Sequence, residues 1–194
     1  MSGTAPKLVG RHLRVAFMNT DATGSSPKFE RMTNFTAMTN GKNPKEYSRQ
    51  YVDESTERSD VVGYAPATEY SFDMYAGNPV HERIAKIHDG EKVADDAHVE
   101  VVTVDFYKKN TEGDKCYATK RTYAVIPDSD GDGTDALVYN GSLKAVSDLE
   151  EGYVTETDIT SKTVTYAKGD YMGGVAAADF KAVKNTRKNR RVSQ

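Results

Sequence analysis

The chain has 194 residues, of which 37% are hydrophobic and 9% aromatic, with no tryptophan, a single cysteine and a net charge of −3. This length is enough for one domain with its own core, and the single thiol excludes an intrachain disulfide framework and a cysteine-based zinc site. No stretch approaches the ~18 apolar residues of a membrane-spanning helix, and the N-terminus lacks the apolar region of a signal peptide, so we expect the protein to stay in the cytoplasm where it is made.

The charge is unevenly distributed along the chain. Residues 168–194 carry seven Lys or Arg against two Asp or Glu, and residues 1–14 carry three basic residues and no acidic one. The body between them, residues 15–167, has 16 basic and 27 acidic residues. Basic ends suit either nucleic acid or an acidic copy of the same chain. A solvated tail or one docked on a partner is favoured over nucleic-acid binding, because the basic run 187–191 has no interleaved aromatic residues on which bases could stack.

The N-terminal part of the chain predicts an arm followed by strands. Residues 1–12 form an arm that we expect to order only on assembly. Residues 11–20 alternate between apolar and polar side chains and predict a strand, and the Thr and Asn content of residues 28–40 favours a second one. Residues 43–64 are the most charged internal stretch and predict a long loop, a feature that is usually functional inside a compact domain. Residues 67–75 alternate strictly and predict another strand.

One amphipathic helix is predicted after Asn78. This residue is of a type that caps helix N-termini, Pro79 suits the first helical position, and Gly90 suits the end. Three apolar residues recur at the spacing of one helical face and should pack on a sheet: Val80, Ile84 and Ile87.

The remainder of the domain predicts further strands. They span residues 98–107, 116–126, 135–146 and 161–167, and the apolar phase changes at Val101–Val102, which suggests a bulge. One short helix among about seven to nine strands predicts a mainly β (α+β) fold, an antiparallel β-sandwich or barrel with one flanking α-helix. The predicted organisation is therefore an arm (1–12), one β domain (13–167) and a basic C-terminal extension (168–194) that is too polar to fold alone.

A run of acidic residues precedes Gly133. Asp128, Asp130 and Asp132 stand at alternate positions, which resembles the start of a calcium loop. The twelfth position of such a loop should be acidic but is Tyr139, and no helix pair flanks the run. A tight turn between strands is therefore favoured, with a weak cation site as the alternative.

No set of side chains has the spacing of a catalytic site. His81 and His88 are seven residues apart on the helix, too far for one metal ion, and are interpreted as part of a solvated helix face. The sequence has no G-x-S-x-G, P-loop or G-x-G-x-x-G motif, and Cys116 is interpreted as a small filler in a strand. We therefore predict no enzymatic activity and no cofactor.

Three segments that follow one another along the chain carry a family resemblance: EYSRQYVDESTERSDVVGYAPATEYSFDMYAGNPVHERIAKIHD, VEVVTVDF and KRTYAVIPDSDGDGTDALVYNGSLKA. In their amino-acid sequence and in their order along the chain, they resemble the tail tube proteins of phages and prophages of Gram-positive bacteria, of the siphophage type. The resemblance covers residues 12–167. The resemblance implies a β-sandwich or barrel with one flanking helix. It also implies hexameric rings that stack into a tube guiding DNA from the capsid to the host. The chain after Ala167 does not match the family.

The resemblance implies partners and contact regions as well. A subunit would bind further copies of itself and tail terminator, baseplate or tip, and tape-measure proteins, in a virion tail assembled in the host cytoplasm. DNA would pass without specific binding, and no membrane would be involved. The stretch 43–64 and both chain ends would bridge subunits and rings. Alternating charges would set the register there and tyrosines would anchor the contact, through Tyr47, Arg49, Tyr51, Asp53, Glu57, Arg58 and Asp60.

Other functions stay open on the sequence alone. The same fold would suit the tube subunit of a phage-derived contractile injection system or bacteriocin, or a terminator protein that forms a single ring. A calcium-dependent binding module using Asp128–Asp132 is the alternative from a different class, and a hydrolytic enzyme is the least favoured. For a DNA conduit, basic walls would trap the cargo through counterion release. We therefore predict a net acidic or neutral lumen, with residues 181–191 facing away from it or docked on a neighbour.

Overall fold

The structure, a computed structural model, describes residues 8–21, 27–131 and 134–172. These residues form twelve β-strands and one α-helix, and the ladders among them are antiparallel. The prediction of a mainly antiparallel β protein with a single helix is confirmed for this part of the chain. No helix within it is long and apolar enough to cross a membrane.

The strands and the helix have the following bounds: β1 Arg14–Asn19, β2 Phe29–Arg31, β3 Phe35–Gly41, β4 Pro44–Arg49, β5 Arg58–Tyr64, β6 Ala67–Asp73, α1 Pro79–Asp89, β7 His98–Lys109, β8 Cys116–Asp130, β9 Val138–Ala145, β10 Glu150–Val154, β11 Thr163–Val164 and β12 Tyr166–Lys168.

Two compact units share the chain. The first takes its described residues from Met1–Arg31, Val101–Lys120 and Leu149–Gln194, and the second from Met32–Glu100 and Arg121–Asp148. The predicted segments 1–7 and 173–194, which include most of the arm and of the basic extension, lie outside the described residues.

The first unit is a sheet with one apolar core. Its strand order is β11-β2-β1-β7-β8, and β10 pairs with both β8 and β12. Alternate side chains of β1 point into the core because the side-chain period of a strand is two residues. Ten buried residues form this core: Val15, Phe17, Phe29, Val102, Val104, Phe106, Cys116, Ala118, Val154 and Val164. Cys116 is fully buried there, and burial raises the pKa of its thiol.

Several sequence-based boundaries in this unit differ from the structure. The bulge predicted at Val101–Val102 is absent from the β1–β7 ladder, where both residues pair in register. Both are buried, so the change of apolar phase reflects burial of both strand faces. β10 lies between the predicted strands 135–146 and 161–167, where no strand was predicted, and the predicted strand 161–167 is split into two short strands.

The second unit is a sheet covered on one face by α1. Its strand order is β8-β9-β6-β3. The predicted helix is confirmed: the side chain of Asn78 accepts hydrogen bonds from the backbone N–H groups of Val80 and His81, and Pro79 begins the helix. The predicted apolar stripe of α1 is fully buried, at Val80, Ile84 and Ile87.

His81 and His88 are buried, so their assignment to a solvated helix face is wrong. His81 packs on the Phe72 ring with 4.3 Å between centroids, and the Nε2 atom of His88 lies 2.7 Å from the Tyr70 hydroxyl. The two histidines flank the apolar stripe, and a helix lying flat on a sheet buries its flanks too. Their ring nitrogens can be buried because polar partners satisfy them.

The predicted strand 28–40 is interrupted by Asn34, whose φ of +62° lies in the left-handed region that Asn tolerates. The part before it, β2, pairs with β1, and the part after it, β3, pairs with β6. The strand predicted to end at residue 126 continues to Asp130 through a register shift between Pro127 and Ser129.

Candidate assembly surface

Residues 43–64, predicted as a long loop, contain a β-hairpin. β4 and β5 pair with each other in a two-stranded sheet of their own, and nearly all of their residues are exposed. The prediction failed because neither face of the ribbon is buried, so its sequence has no alternation of apolar and polar residues. An isolated two-stranded ribbon is marginally stable in water, and the hairpin therefore presents surface that a partner could cover.

The hairpin projects from the ladder between β3 and β6. Gly41 and Ala67 are the last pair of that ladder. Asn43, at a φ of +43°, closes the base: its side-chain amide donates to the carbonyl of Ala65 at 3.1 Å, and its own carbonyl accepts the N–H of Ala65 at 3.0 Å. These bonds fix where the ribbon leaves the sheet.

The ladder register gives the hairpin two chemically different faces. Tyr47 pairs with Asp60 and Arg49 with Arg58, so these side chains share one face with Lys45, because residues two apart on a strand point the same way. We call this the charged face: Lys45, Tyr47, Arg49, Arg58 and Asp60.

The opposite face carries fewer charges. Glu46 pairs with Val61 and Pro44 with Tyr64, across a register shift between Lys45 and Glu46. We call it the apolar face, defined by Pro44, Val61 and Tyr64; Glu46 and the Ser48–Ser59 pair lie on it too.

On the charged face two arginines stand directly opposite each other, an arrangement that is destabilising unless each charge is compensated. Arg58 turns towards the carboxylate of Glu54, to which its Nε donates at 2.7 Å and its terminal nitrogen also donates. Its guanidinium also lies 5.8 Å from the centre of the Tyr51 ring, and that of Arg49 lies 5.7 Å from the centre of the Tyr47 ring.

All seven residues predicted as subunit contacts lie on this hairpin or in its connection. Four of them share the charged face: Tyr47, Arg49, Arg58 and Asp60. Tyr51, Asp53 and Glu57 belong to the connection between β4 and β5. Their role in contacts stays a prediction. Sequence reasoning passed over Val61, Val62 and Tyr64, which are exposed; the only signal was two adjacent valines in a charged stretch.

A second candidate surface is the edge of β3. This strand is the last of its sheet, so no described strand pairs with its outer edge. Its seven residues, FTAMTNG, contain no charge and no proline. Natural proteins usually protect such an edge with charges, proline or a covering element, and β3 therefore offers unpaired N–H and C=O groups to another strand.

The beginning of the predicted C-terminal extension is anchored in the first unit. Lys168 belongs to β12, and its Nζ lies 2.6 Å from Glu150, whose other carboxylate oxygen lies 3.2 Å from Nζ of Lys120. Hydrogen bonds from the two lysines lower the pKa of Glu150. An ion-pair bridge therefore holds β12, in which the predicted extension begins.

The described residues include no group of three or more His, Cys, Asp or Glu side chains that could hold a metal ion. Of the weak cation candidates, Asp128 and Asp130 lie in β8 and are exposed, and Asp132 is outside the described residues. Gly131, which follows β8, has a φ of +74°. The ring nitrogens of the buried His81 form hydrogen bonds with backbone groups, and Nε2 of the buried His88 forms one with a tyrosine hydroxyl.

No protein-family model matches the sequence, and no curated protein sequence matches it. Solved structures do. The chain is similar to the SPP1 tail tube, with a TM-score of 0.54 and 14% identity over 78% of this chain and 82% of that one. It is also similar to the tail of an empty GTA particle refined with C6 symmetry, with a TM-score of 0.51 and 14% identity over 73% of this chain and 97% of that one. The chain therefore shares the fold of these tail structures.

Proposed function

We propose that this chain is a structural, non-enzymatic subunit of a phage tail tube. Copies form hexameric rings, and the rings stack into a hollow conduit through which DNA leaves the virion. Two things support this proposal: the fold shared with two tail structures, one of them refined with C6 symmetry, and the predicted resemblance over residues 12–167.

Two β elements of the second unit give the main support for this proposal: the outer edge of β3, which no described strand pairs with, and the exposed hairpin of β4 and β5. Among the described residues the edge of β3 has none of the usual protection against pairing, and pairing with a strand of a neighbouring copy would satisfy its backbone groups. Closing a sheet around a ring removes free edges altogether. The hairpin of β4 and β5 projects beyond that sheet, and it would reach the next ring.

A deletion of residues 47–58 tests this proposal. Glu46 and Val61 are ladder partners, so the deletion leaves Ser59 and Asp60 as a two-residue connection between them, a length that suits a hairpin. We expect a folded subunit that no longer forms tubes in electron micrographs, whereas the full-length chain does. The matched control carries the same deletion with Ser59→Asn and Asp60→Gly, which supply favourable turn residues.

Both deletion variants should melt as cooperatively as the full-length chain and should stay as single subunits or rings. Long tubes formed by either variant would contradict a stacking role of the hairpin. A full-length chain that forms no rings or tubes at any concentration would contradict the proposed function itself.

A further inference from the structure

Tyr47 on the charged face and Tyr51 in the connection between β4 and β5 already contact arginine side chains of the same chain. The guanidinium groups of Arg49 and Arg58 lie over the rings of Tyr47 and Tyr51. A cation over an aromatic face is a favourable contact, and a partner that used these rings as buried anchors would first have to displace it. Arg58 is also held by Glu54, which makes that displacement harder.

The apolar face presents side chains without such partners. Val61 is 54% exposed and Tyr64 is 62% exposed, against 49% for Tyr47. In the middle of this face the hydroxyls of Ser48 and Ser59 form a hydrogen bond to each other, with 2.6 Å between the oxygens. Covering Val61 and Pro44 would therefore bury apolar area while Ser48 and Ser59 keep their hydrogen bond to each other, and Glu46 is the one charge on this face among the described residues.

We infer that the hairpin packs on a second copy of this chain through Pro44, Val61 and Tyr64, while the charged face remains at the rim and sets the register. This inference rests on the proposed function and reverses the sequence-based choice of Tyr47 and Tyr51 as anchors. Buried apolar and aromatic side chains at the centre of an interface dominate its affinity, whereas rim charges affect mainly the association rate and the salt dependence.

The charges of the ribbon favour a second copy as the occupant. β4 and β5 together carry three basic residues and two acidic ones, and the connection between them adds Asp53, Glu54 and Glu57. A copy of the same chain therefore offers both signs of charge to the rim. On this inference the hairpin needs its full length to reach the second copy, and it needs its apolar face to bind that copy.

The test compares two exposed tyrosines on opposite faces of the ribbon. The critical concentration for tube formation is measured by sedimentation and electron microscopy for the full-length chain, for Tyr64→Ser and for Tyr47→Ser. We expect Tyr64→Ser to raise the critical concentration at least roughly tenfold and Tyr47→Ser to change it by less than about threefold. Val61→Ser should act in the same direction as Tyr64→Ser. Thermal melting of the unassembled variants checks that each one is folded.

Salt provides a second readout. Tubes held by the apolar face should persist at about 1 M salt, where charge pairs at the rim are screened. Equal or larger loss of assembly in Tyr47→Ser, or dissolution of wild-type tubes by salt, overturns the assignment of faces and leaves the proposed function intact. A full-length chain that stays monomeric overturns the proposed function, and this inference with it.

Discussion

The hydrogen bonds at both ring nitrogens of His81 hold this residue in its neutral form. Its Nε2 lies 2.9 Å from the carbonyl oxygen of Thr33, and its Nδ1 accepts the backbone N–H of Tyr75 at 3.2 Å. A carbonyl only accepts and an N–H only donates, so the ring proton is on Nε2. Burial lowers the pKa of His81, against weaker opposing effects of the Thr33 carbonyl and of Asp73.

We predict that the free energy of unfolding decreases as the pH falls below about 6.5. The unfolded chain binds a proton on this histidine near that pH, whereas folded His81 does so only at a lower pH. Between the two pKa values the unfolded state holds more protons, so acid destabilises the fold. Burial lowers the pKa of His88 as well, and its effect has the same sign.

Urea unfolding at about pH 7.5 and about pH 5.5 measures this decrease, which should become smaller in His81→Gln, a variant without the titrating ring. Equal stability of the wild-type chain at both pH values, or greater stability at the lower one, would show that burial of the histidines does not control its acid sensitivity.

Gly141 is a position where a side chain does not fit. A Cβ atom added there would lie 2.6 Å from the carbonyl oxygen of Ile126 and 2.8 Å from Cζ of Tyr70, which crosses over the glycine. We predict that Gly141→Ala lowers the unfolding free energy by about 1–3 kcal/mol, the usual effect of overpacking. Gly63→Ala is the matched control, because no atom outside its chain neighbours lies within 4 Å of its Cβ position. Denaturant unfolding should separate the two variants, and equal stability would rule out the predicted clash.

Among the elements, α1 contributes most clearly to the stability of the second unit. Ile84 is fully buried beside Val80 and Ile87. We predict that Ile84→Ala destabilises the chain by about 2–4 kcal/mol, from lost apolar burial and the cavity left behind. Lys86→Ala on the exposed side of the same helix is the control and should change stability by less than about 0.5 kcal/mol. Similar unfolding midpoints for the two variants would mean that the helix face is not packed as described.

At the scale of the whole molecule, the charge distribution predicts a low affinity for DNA. The body, residues 15–167, has 27 acidic against 16 basic residues, and each phosphate neutralised by Lys or Arg would add affinity through counterion release. We predict no appreciable binding of duplex DNA at physiological salt, as measured by fluorescence anisotropy. Removal of residues 181–194 should weaken assembly or leave it unchanged. Tight, salt-sensitive DNA binding that disappears with these residues would instead assign the chain end to nucleic acid.

How well sequence patterns predicted an element depended on how many of its faces are buried. Strand β6 and helix α1 each bury one face, so their periodicity was visible and they were predicted. The hairpin buries neither face and was mistaken for a loop; β7 buries both faces at Val101–Val102 and was given a bulge that its β1 ladder lacks. The residues of the candidate surface were found from their charges, but the placement of Tyr64 on the same face as Val61 follows from the register shift after Lys45, which no sequence pattern marks.

The position of the hairpin between the paired residues Gly41 and Ala67 has a consequence for how this chain can diverge. Both ends of segment 42–66 are fixed by a ladder that does not depend on what lies between them. Substitutions, insertions and deletions between Asn43 and Ala65 should leave the sheet and helix of the second unit unaltered, so selection on the hairpin would act through the contact proposed for it. Related chains should therefore vary in length and sequence between these two positions while β3, β6 and α1 keep their pattern, and each lineage could change the proposed contact between copies by changing this hairpin alone.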